Sequence, residues 1–487
     1  MKKTKIKLED ILCIFIILCP IFDILSFIFR NVFKTNVSIS TFIRPIIPVC
    51  VAIYIFKNAN KKEKLYFTLI GMLYILYGAI HLIVMKSLIT KASYGNVINE
   101  AQYILNFTFL MIYFVIYLYV FIYRKINEKG VYELVKNDDG IRKLKKSITI
   151  MCFIYIISIA ISIITKTSSY TYNETLTGFK GWIESGNSLS AILLLSLTVI
   201  LCQIKKSSNI YTVLTFIMTA IYLTTMIGTR TGLIGTFLIL TIYFLLEIIF
   251  SKNKKIITIG LVILTIFAIF VGIFGSNTIK RRKQMDSAKY EIIDEKTNEV
   301  GTMTGDMLRI KNKIIDNELE DSYMSEAQKK SVIDLYKYSK KHNFAGNDTR
   351  RQQLIYNIYL VKNQKNVISI LFGNGYKTNF REMVMENELA SMILNFGIIG
   401  FILYVMPIII LLIYSIIVAI KNRKKLYTEF IMNEFSLTLA LVLSWMSGYV
   451  LFATSSMIVI VTICTILLFE TLQIKYDKKI KNNVENC

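Results

Sequence analysis

The chain has 487 residues, 54% of them hydrophobic, and a mean hydropathy of +0.52, which excludes a soluble domain of this length. A formal net charge of +24 arises from 57 Lys and Arg against 33 Asp and Glu. These cations cluster in the short segments between apolar runs, so the charge reads as a topological signal and not as a nucleic-acid footprint.

Taken in chain order, apolar runs predict membrane-spanning helices near 11–29, 42–56, 65–85, 104–123, 148–165, 189–204, 210–227, 233–250 and 256–274, then near 391–420, 430–452 and 457–472. The fold class is therefore an all-α polytopic membrane protein of about twelve transmembrane helices, because backbone exposed to lipid must satisfy its own hydrogen bonds. Pro20 and Asp23 interrupt the first run and no small-residue cleavage site follows, so it is read as a span and not a signal peptide. The 391–420 run is too long for one plain crossing, which implies a kink, a tilt or a short dipping helix ahead of the crossing.

With the N-terminus inside, the cytoplasmic segments hold 29 Lys and Arg, whereas the short outside loops hold only Arg30, Lys34, Lys86, Lys91, Lys166, Lys180 and Arg230. The positive-inside rule then places both termini in the cytoplasm. The chain divides into a bundle of about nine helices over 1–274, a large extracytoplasmic loop over 275–390, three last spans over 391–472 and a cytoplasmic tail over 473–487. Cys13, Cys19, Cys50, Cys152, Cys202 and Cys464 fall in or beside spans and Cys487 is terminal, so neither a disulfide framework nor a CxxC metal site is visible. His81 and His342 are the only histidines, too few for a histidine-rich metal site.

The large loop differs in composition from its surroundings, with twenty Lys or Arg and sixteen Asp or Glu. Stretches at 307–315 and 352–361 have the period of amphipathic helices, whereas Lys280 to Glu299 lacks an apolar period and is assigned no structure. A loop of this length with helical periods of its own is more than a connection.

Three constellations in outside positions carry chemistry. Gly228-Thr229-Arg230-Thr231-Gly232 is a tight turn with an arginine at its tip, where hydroxyls, freed N–H groups and a guanidinium can bind phosphate oxygens; the plainer alternative is an arginine snorkelling to lipid headgroups. Asn347-Asp348-Thr349-Arg350-Arg351 opens a helix with Asp348 as N-cap, and two arginines in the first turn oppose the helix dipole, which an anionic ligand explains and stability does not. A solvated charged face is the alternative. Leu371-Phe372-Gly373-Asn374-Gly375-Tyr376 marks a turn, followed by Glu386-Asn387-Glu388 and by Asn395-Phe396-Gly397-Ile398-Ile399-Gly400 entering the membrane. Partial burial there would make a carboxylate more basic, while simple capping of the helix start is the alternative.

The order of these features resembles the O-antigen ligase and polymerase family, with motifs confined to about 181–240 and 346–404. Gly181-Trp182-Ile183-Glu184-Ser185-Gly186-Asn187-Ser188 is similar to a weaker family feature, a loop ending in Asn beside a small residue. The resemblance implies a glycosyltransferase C-like architecture. It also implies transfer, on the outer face of the bacterial cytoplasmic membrane, of a glycan carried on undecaprenyl pyrophosphate to an acceptor hydroxyl, with neither nucleotide sugar, metal nor cofactor. Its arginines are matched by Arg230 and by Arg350 or Arg351, which would hold the pyrophosphate and stabilise the leaving group. Thr229, Thr231, Asn374, Asn387, Glu388 and Asn187 stand beside them as substrate contacts. Ligases of the family often carry His-Asn where this chain reads Glu386-Asn387, so Glu386 becomes the candidate base and the departure favours a polymerase whose acceptor is another lipid-linked repeat unit. Membrane lipids are the further partners expected, together with a separate protein that sets chain length.

Two other classes compete. A flippase of lipid-linked sugars would have a similar helix number, but no internal repeat is visible, and Asp23 and Arg44 lie near span ends where they make no ion relay. A scaffold with an outside binding loop would not require arginines in both the hairpin and the large loop.

Overall fold

The computed structural model describes residues 7–34, 39–136, 139–173, 175–206, 209–250, 259–260, 262–264, 266–267, 270–271, 275–287, 301–346, 348–446 and 448–484. The bundle begins with α1 (Leu8–Asn31), α2 (Ile39–Asn58), α3 (Lys61–Lys86) and α4 (Val97–Leu118), which runs through a π turn at Tyr119–Tyr123 into α5 (Arg124–Lys136), and then α6 (Asp139–Ile164). An antiparallel hairpin, β1 (Ser169–Tyr172) and β2 (Thr177–Gly181), leads to α7 (Gly186–Lys206), α8 (Ile210–Ile221) and α9 (Arg230–Phe250).

Among the described residues seven helices are long and apolar enough to cross a membrane, or eight if a bent pair counts as one span. The protein is a multi-pass helical membrane protein. The other expected spans at 42–56, 210–227 and 430–452 overlap helix Ile39–Asn58, the shorter apolar helix Ile210–Met226 and helix Thr428–Met446, the last ending ahead of a non-helical stretch at 448–452. The span expected at 256–274 falls largely outside the described residues.

The centre of the bundle is α7, whose apolar window is 83% buried, packed on the last helix, α19, at 89%. A helix apolar along most of its length belongs in a core, and the polar residues in the middle of α7, Ser190, Ser196 and Thr198, are small hydroxyls that let helices approach closely. Thr198 donates to Ser436 at 3.0 Å, and the Ser190 and Thr229 hydroxyls meet at 2.7 Å.

The 275–390 segment contains α10 (Asn277–Ser287), α11 (Gly305–Ile315), α12 (Glu326–Lys341), α13 (Thr349–Gln364) and α14 (Val367–Phe372). Helices α11 and α13 occupy the stretches expected at 307–315 and 352–361. Helix α10 occupies the first part of the stretch left unassigned, and 288–300 lies outside the described residues. Met303, Met307, Met324, Val332, Leu335, Tyr356, Leu360, Phe380 and Met383 give the segment a small core of its own. The loop between α3 and α4 straps it to the bundle: the N–H groups of Ala92, Tyr94 and Gly95 donate to the carbonyls of Tyr323, Asn379 and Lys377 at 3.0, 2.8 and 3.1 Å.

The 391–420 run is broken into α15 (Glu388–Leu394), α16 (Gly397–Tyr404) and α17 (Met406–Lys421), with a 51° bend between the last two. Pro407 follows the bend, where the ring cannot continue the preceding helix. Helices α18 (Thr428–Met446) and α19 (Thr454–Val484) complete the bundle.

Candidate functional site

The Leu371–Tyr376 motif closes on the turn ahead of α16. Gly373 and Gly397 have φ of +88° and +75°, and a Cβ on either would lie 2.1 Å from the Asn395 carbonyl oxygen or 2.3 Å from that of Leu371. Glycine alone permits this approach of two backbones. Gly375 N–H donates to the Asn395 carbonyl at 2.8 Å, and Asn374 N–H to Leu394 at 3.2 Å. From the bundle, Glu100 accepts the backbone N–H groups of Tyr376 and Lys377 at 2.9 and 2.8 Å and meets His81 Nε2 at 3.0 Å, while His81 Nδ1 faces the Phe372 carbonyl. Asn374 is buried, and its amide has no hydrogen-bond partner among the described residues.

The acidic pair separates into two environments. Glu388 is buried and accepts the backbone N–H groups of Val450, Leu451 and Phe452 at 2.9, 2.6 and 3.0 Å. It therefore shapes the loop between α18 and α19, which carries Tyr449 and Phe452. Burial pushes its carboxyl up to about 7 against the pull of the backbone donors. Glu386 is half-exposed and paired with Arg350 at 2.8 Å, and Arg350 Nη1 also donates to the Met446 carbonyl at 2.6 Å. Arg351 turns elsewhere, to Asp348 at 3.2 Å and over the Phe344 ring at 4.2 Å. Asp348 stands at the N-cap position, yet makes no side-chain cap because its carboxylate faces Arg351. Asn387 is the N-cap residue of α15, its carbonyl accepting Ser391 N–H at 2.8 Å.

Two chambers meet across Tyr103, Tyr449 and Phe452. The larger, about 670 Å³, is lined by Asp23, Arg30, Arg44, Lys180, Glu184 and Asn187 among others; the smaller, about 210 Å³, by Tyr94, Tyr376, Lys377, Arg381, Glu386 and Glu388 among others. In the larger one Arg44 and Asp23 pair at 2.7 Å, and Asp23 also accepts from Tyr155 at 2.5 Å and Ser455 at 2.8 Å. Arg44 Nε has no partner among the described residues. Arg30 pairs with Glu184 at 2.9 Å, and Lys180 donates to the Glu184 carbonyl at 2.8 Å. Burial lowers the Lys180 ammonium below its ordinary range and raises the Glu184 carboxyl.

Arg230 is the first residue of α9, not the tip of a free turn; it is exposed, pairs with no carboxylate among the described residues and lines neither chamber. Thr229 is buried, receives the Gly232 N–H at 3.1 Å and touches Ser190, one turn along α7 from Asn187. The Thr231 hydroxyl has no partner among the described residues.

The sequence profile described as "O-antigen ligase like membrane protein" matches residues 5–474. The chain belongs to that family. No individual curated protein matches it. In this O-antigen ligase-like protein the chambers recruit residues that motif reasoning passed over: Asp23, Arg30, Arg44, Lys180, Tyr103, Lys377 and Tyr449. Asp23 and Arg44 had a signal, since opposite charges in two consecutive apolar runs are costly unless paired. The aromatic residues had none, because a tyrosine near a span end reads equally well as an interfacial anchor.

Proposed function

We propose that the protein is a polysaccharide polymerase with about twelve spans in a glycosyltransferase C-like arrangement. In this reading it lies in the bacterial cytoplasmic membrane with both termini inside and the large segment outside. It moves a glycan from undecaprenyl pyrophosphate to a hydroxyl of a lipid-linked repeat unit. The observation that carries the reading is the half-exposed carboxylate of Glu386 in one chamber, adjoining a second chamber that holds Arg30, Arg44 and Lys180.

The acceptor oxygen attacks the anomeric carbon, the bond from that carbon to the pyrophosphate oxygen breaks, Glu386 takes the hydroxyl proton, and the lipid pyrophosphate leaves with the bonding electrons. Cations in the larger chamber offset the charge that develops on the leaving group. The Arg350–Glu386 pair is exposed on both sides, so it contributes no more than about 1 kcal/mol, and an arriving pyrophosphate can draw Arg350 away and release the base. Arg230, on the turn that Thr229 and Thr231 flank, and Arg351 are exposed and lie outside both chambers, and in this reading they meet the donor's phosphates as it approaches. Asn187, which lines the larger chamber, and Asn387, next to Glu386 in sequence, bond sugar hydroxyls in this reading. Glu388 supports the site by holding the N–H groups of residues 450–452, and Asn374 supports it through its own backbone N–H, which joins the turn to the Leu394 carbonyl. The Glu386-Asn387 pair, in place of the His-Asn frequent in ligases of the family, favours polymerase over ligase.

The test is the size distribution of surface polysaccharide in cells with wild type, Glu386→Gln, Arg230→Ala, Arg350→Ala or Arg351→Ala at equal membrane levels. Loss of long chains with single lipid-linked repeats accumulating outside supports the proposal. Long chains retained on the carrier lipid identify a ligase, and repeats trapped inside identify a flippase.

A further inference from the structure

The smaller chamber has a charge balance that the transfer chemistry alone does not require. Lys377 Nζ stands 4.3 Å from the centre of the Tyr94 ring, 4.8 Å from Tyr103 and 5.4 Å from Tyr376. Ring faces stabilise an ammonium without neutralising it, and the carboxylate that acts on Lys377, Glu100, is also committed to His81 and to two backbone N–H groups. Among the described residues no carboxylate pairs with Lys377 or with Arg381, which lines the same chamber. The nearby carboxylates are otherwise engaged, Glu386 with Arg350 and Glu388 with three backbone N–H groups. Lys377 is fixed in place, because its own N–H and that of Tyr376 are held by Glu100. The Tyr103 and Tyr376 rings pack on each other 4.9 Å apart, and the partly exposed Tyr103 offers an apolar face beside the cation. Burial has already lowered the Lys377 ammonium below its ordinary range, so an entering anion restores stabilisation that water no longer supplies.

We propose that this chamber is the acceptor-sugar subsite and that it selects a sugar bearing an anionic group, whose ring lies against Tyr103 while its charge meets Lys377 and Arg381. The anionic group is a carboxylate or a phosphate substituent, two sources of the same charge. The inference rests on the transfer reading of the cleft and names the class of acceptor it takes.

The test measures binding, without turnover, to the full-length protein in nanodiscs. The probes are an oligosaccharide ending in glucuronic acid, the same oligosaccharide with that carboxyl reduced to the alcohol, and a counterpart ending in a sugar phosphate. Wild type is expected to bind one of the anionic probes at least about tenfold more tightly than the reduced one, with the preference falling as salt rises. Lys377→Met and Arg381→Gln should each narrow the gap, and the double variant should abolish it while still binding the neutral probe. Equal affinity for all three probes, no binding of any, or a preference that survives the double variant overturns the proposal. A chamber that prefers the acid in a protein that lengthens no chain refutes the polymerase reading alone.

Discussion

Replacing Glu388 by alanine leaves the N–H groups of Val450, Leu451 and Phe452 without their acceptor in a buried loop. At roughly 1 to 3 kcal/mol for each unsatisfied buried group, the loss is about 3 kcal/mol or more. Glu388→Gln retains one carbonyl oxygen in place of two, so it should cost about 1 to 3 kcal/mol. The carboxyl also makes stability depend on pH. Its value of about 7 in the folded protein lies above the usual 4.5, so between these the folded state keeps a proton that the unfolded chain releases. Its contribution is therefore full below about pH 4.5 and is lost as pH rises through about 7, with a total near 3 kcal/mol. Thermal unfolding in detergent from pH 5 to 8 should show the advantage of wild type over Glu388→Gln shrinking as pH rises. An alanine variant that melts with wild type, or an advantage that grows with pH, would refute this reasoning.

Glu386→Gln should lower turnover by about 10²- to 10⁴-fold with little change in melting, measured on purified protein with lipid-linked substrate. Arg350→Ala should reduce activity more than Arg351→Ala, because only Arg350 faces Glu386, and comparison of the two rates checks this. Asp23→Asn should destabilise by about 3 to 5 kcal/mol by leaving the buried Arg44 charge without its partner, and adding Arg44→Ala should restore much of the stability but not the activity. Gly397→Ala should abolish folded yield on size exclusion, since its Cβ would sit 2.3 Å from the Leu371 carbonyl oxygen, whereas Gly71→Ala, with nothing within 4 Å, should not.

The membrane class was legible because lipid forces apolar length and internal hydrogen bonding onto each span, and the break in 391–420 was legible from its excess length. Helices α11 and α13 showed in their apolar periods. Helix α12 was missed although Ser325 and Gln328 form a capping box there, with Gln328 N–H donating to Ser325 Oγ at 3.2 Å. The β1–β2 hairpin was missed because Ser169–Tyr172 and Thr177–Gly181 are short and polar. Motif spacing singled out Arg350, Glu386 and Asn187 in the cleft region, but it could not tell which of Glu386 and Glu388 is half-exposed and paired with arginine and which is buried on backbone N–H groups. That distinction depends on the 448–453 loop, more than 60 residues away in sequence. The Gly373 and Gly397 motifs were visible separately, and their packing against each other emerges only once α14 and α16 meet.

The central claim is tested most directly by supplying purified protein in nanodiscs with undecaprenyl pyrophosphate-linked repeat units as the only glycan and resolving the products by chain length. Wild type should yield a ladder of lipid-linked chains with release of undecaprenyl pyrophosphate, and Glu386→Gln should yield neither. Wild type that leaves the repeat units unchanged, or Glu386→Gln that makes the same ladder, would contradict the account.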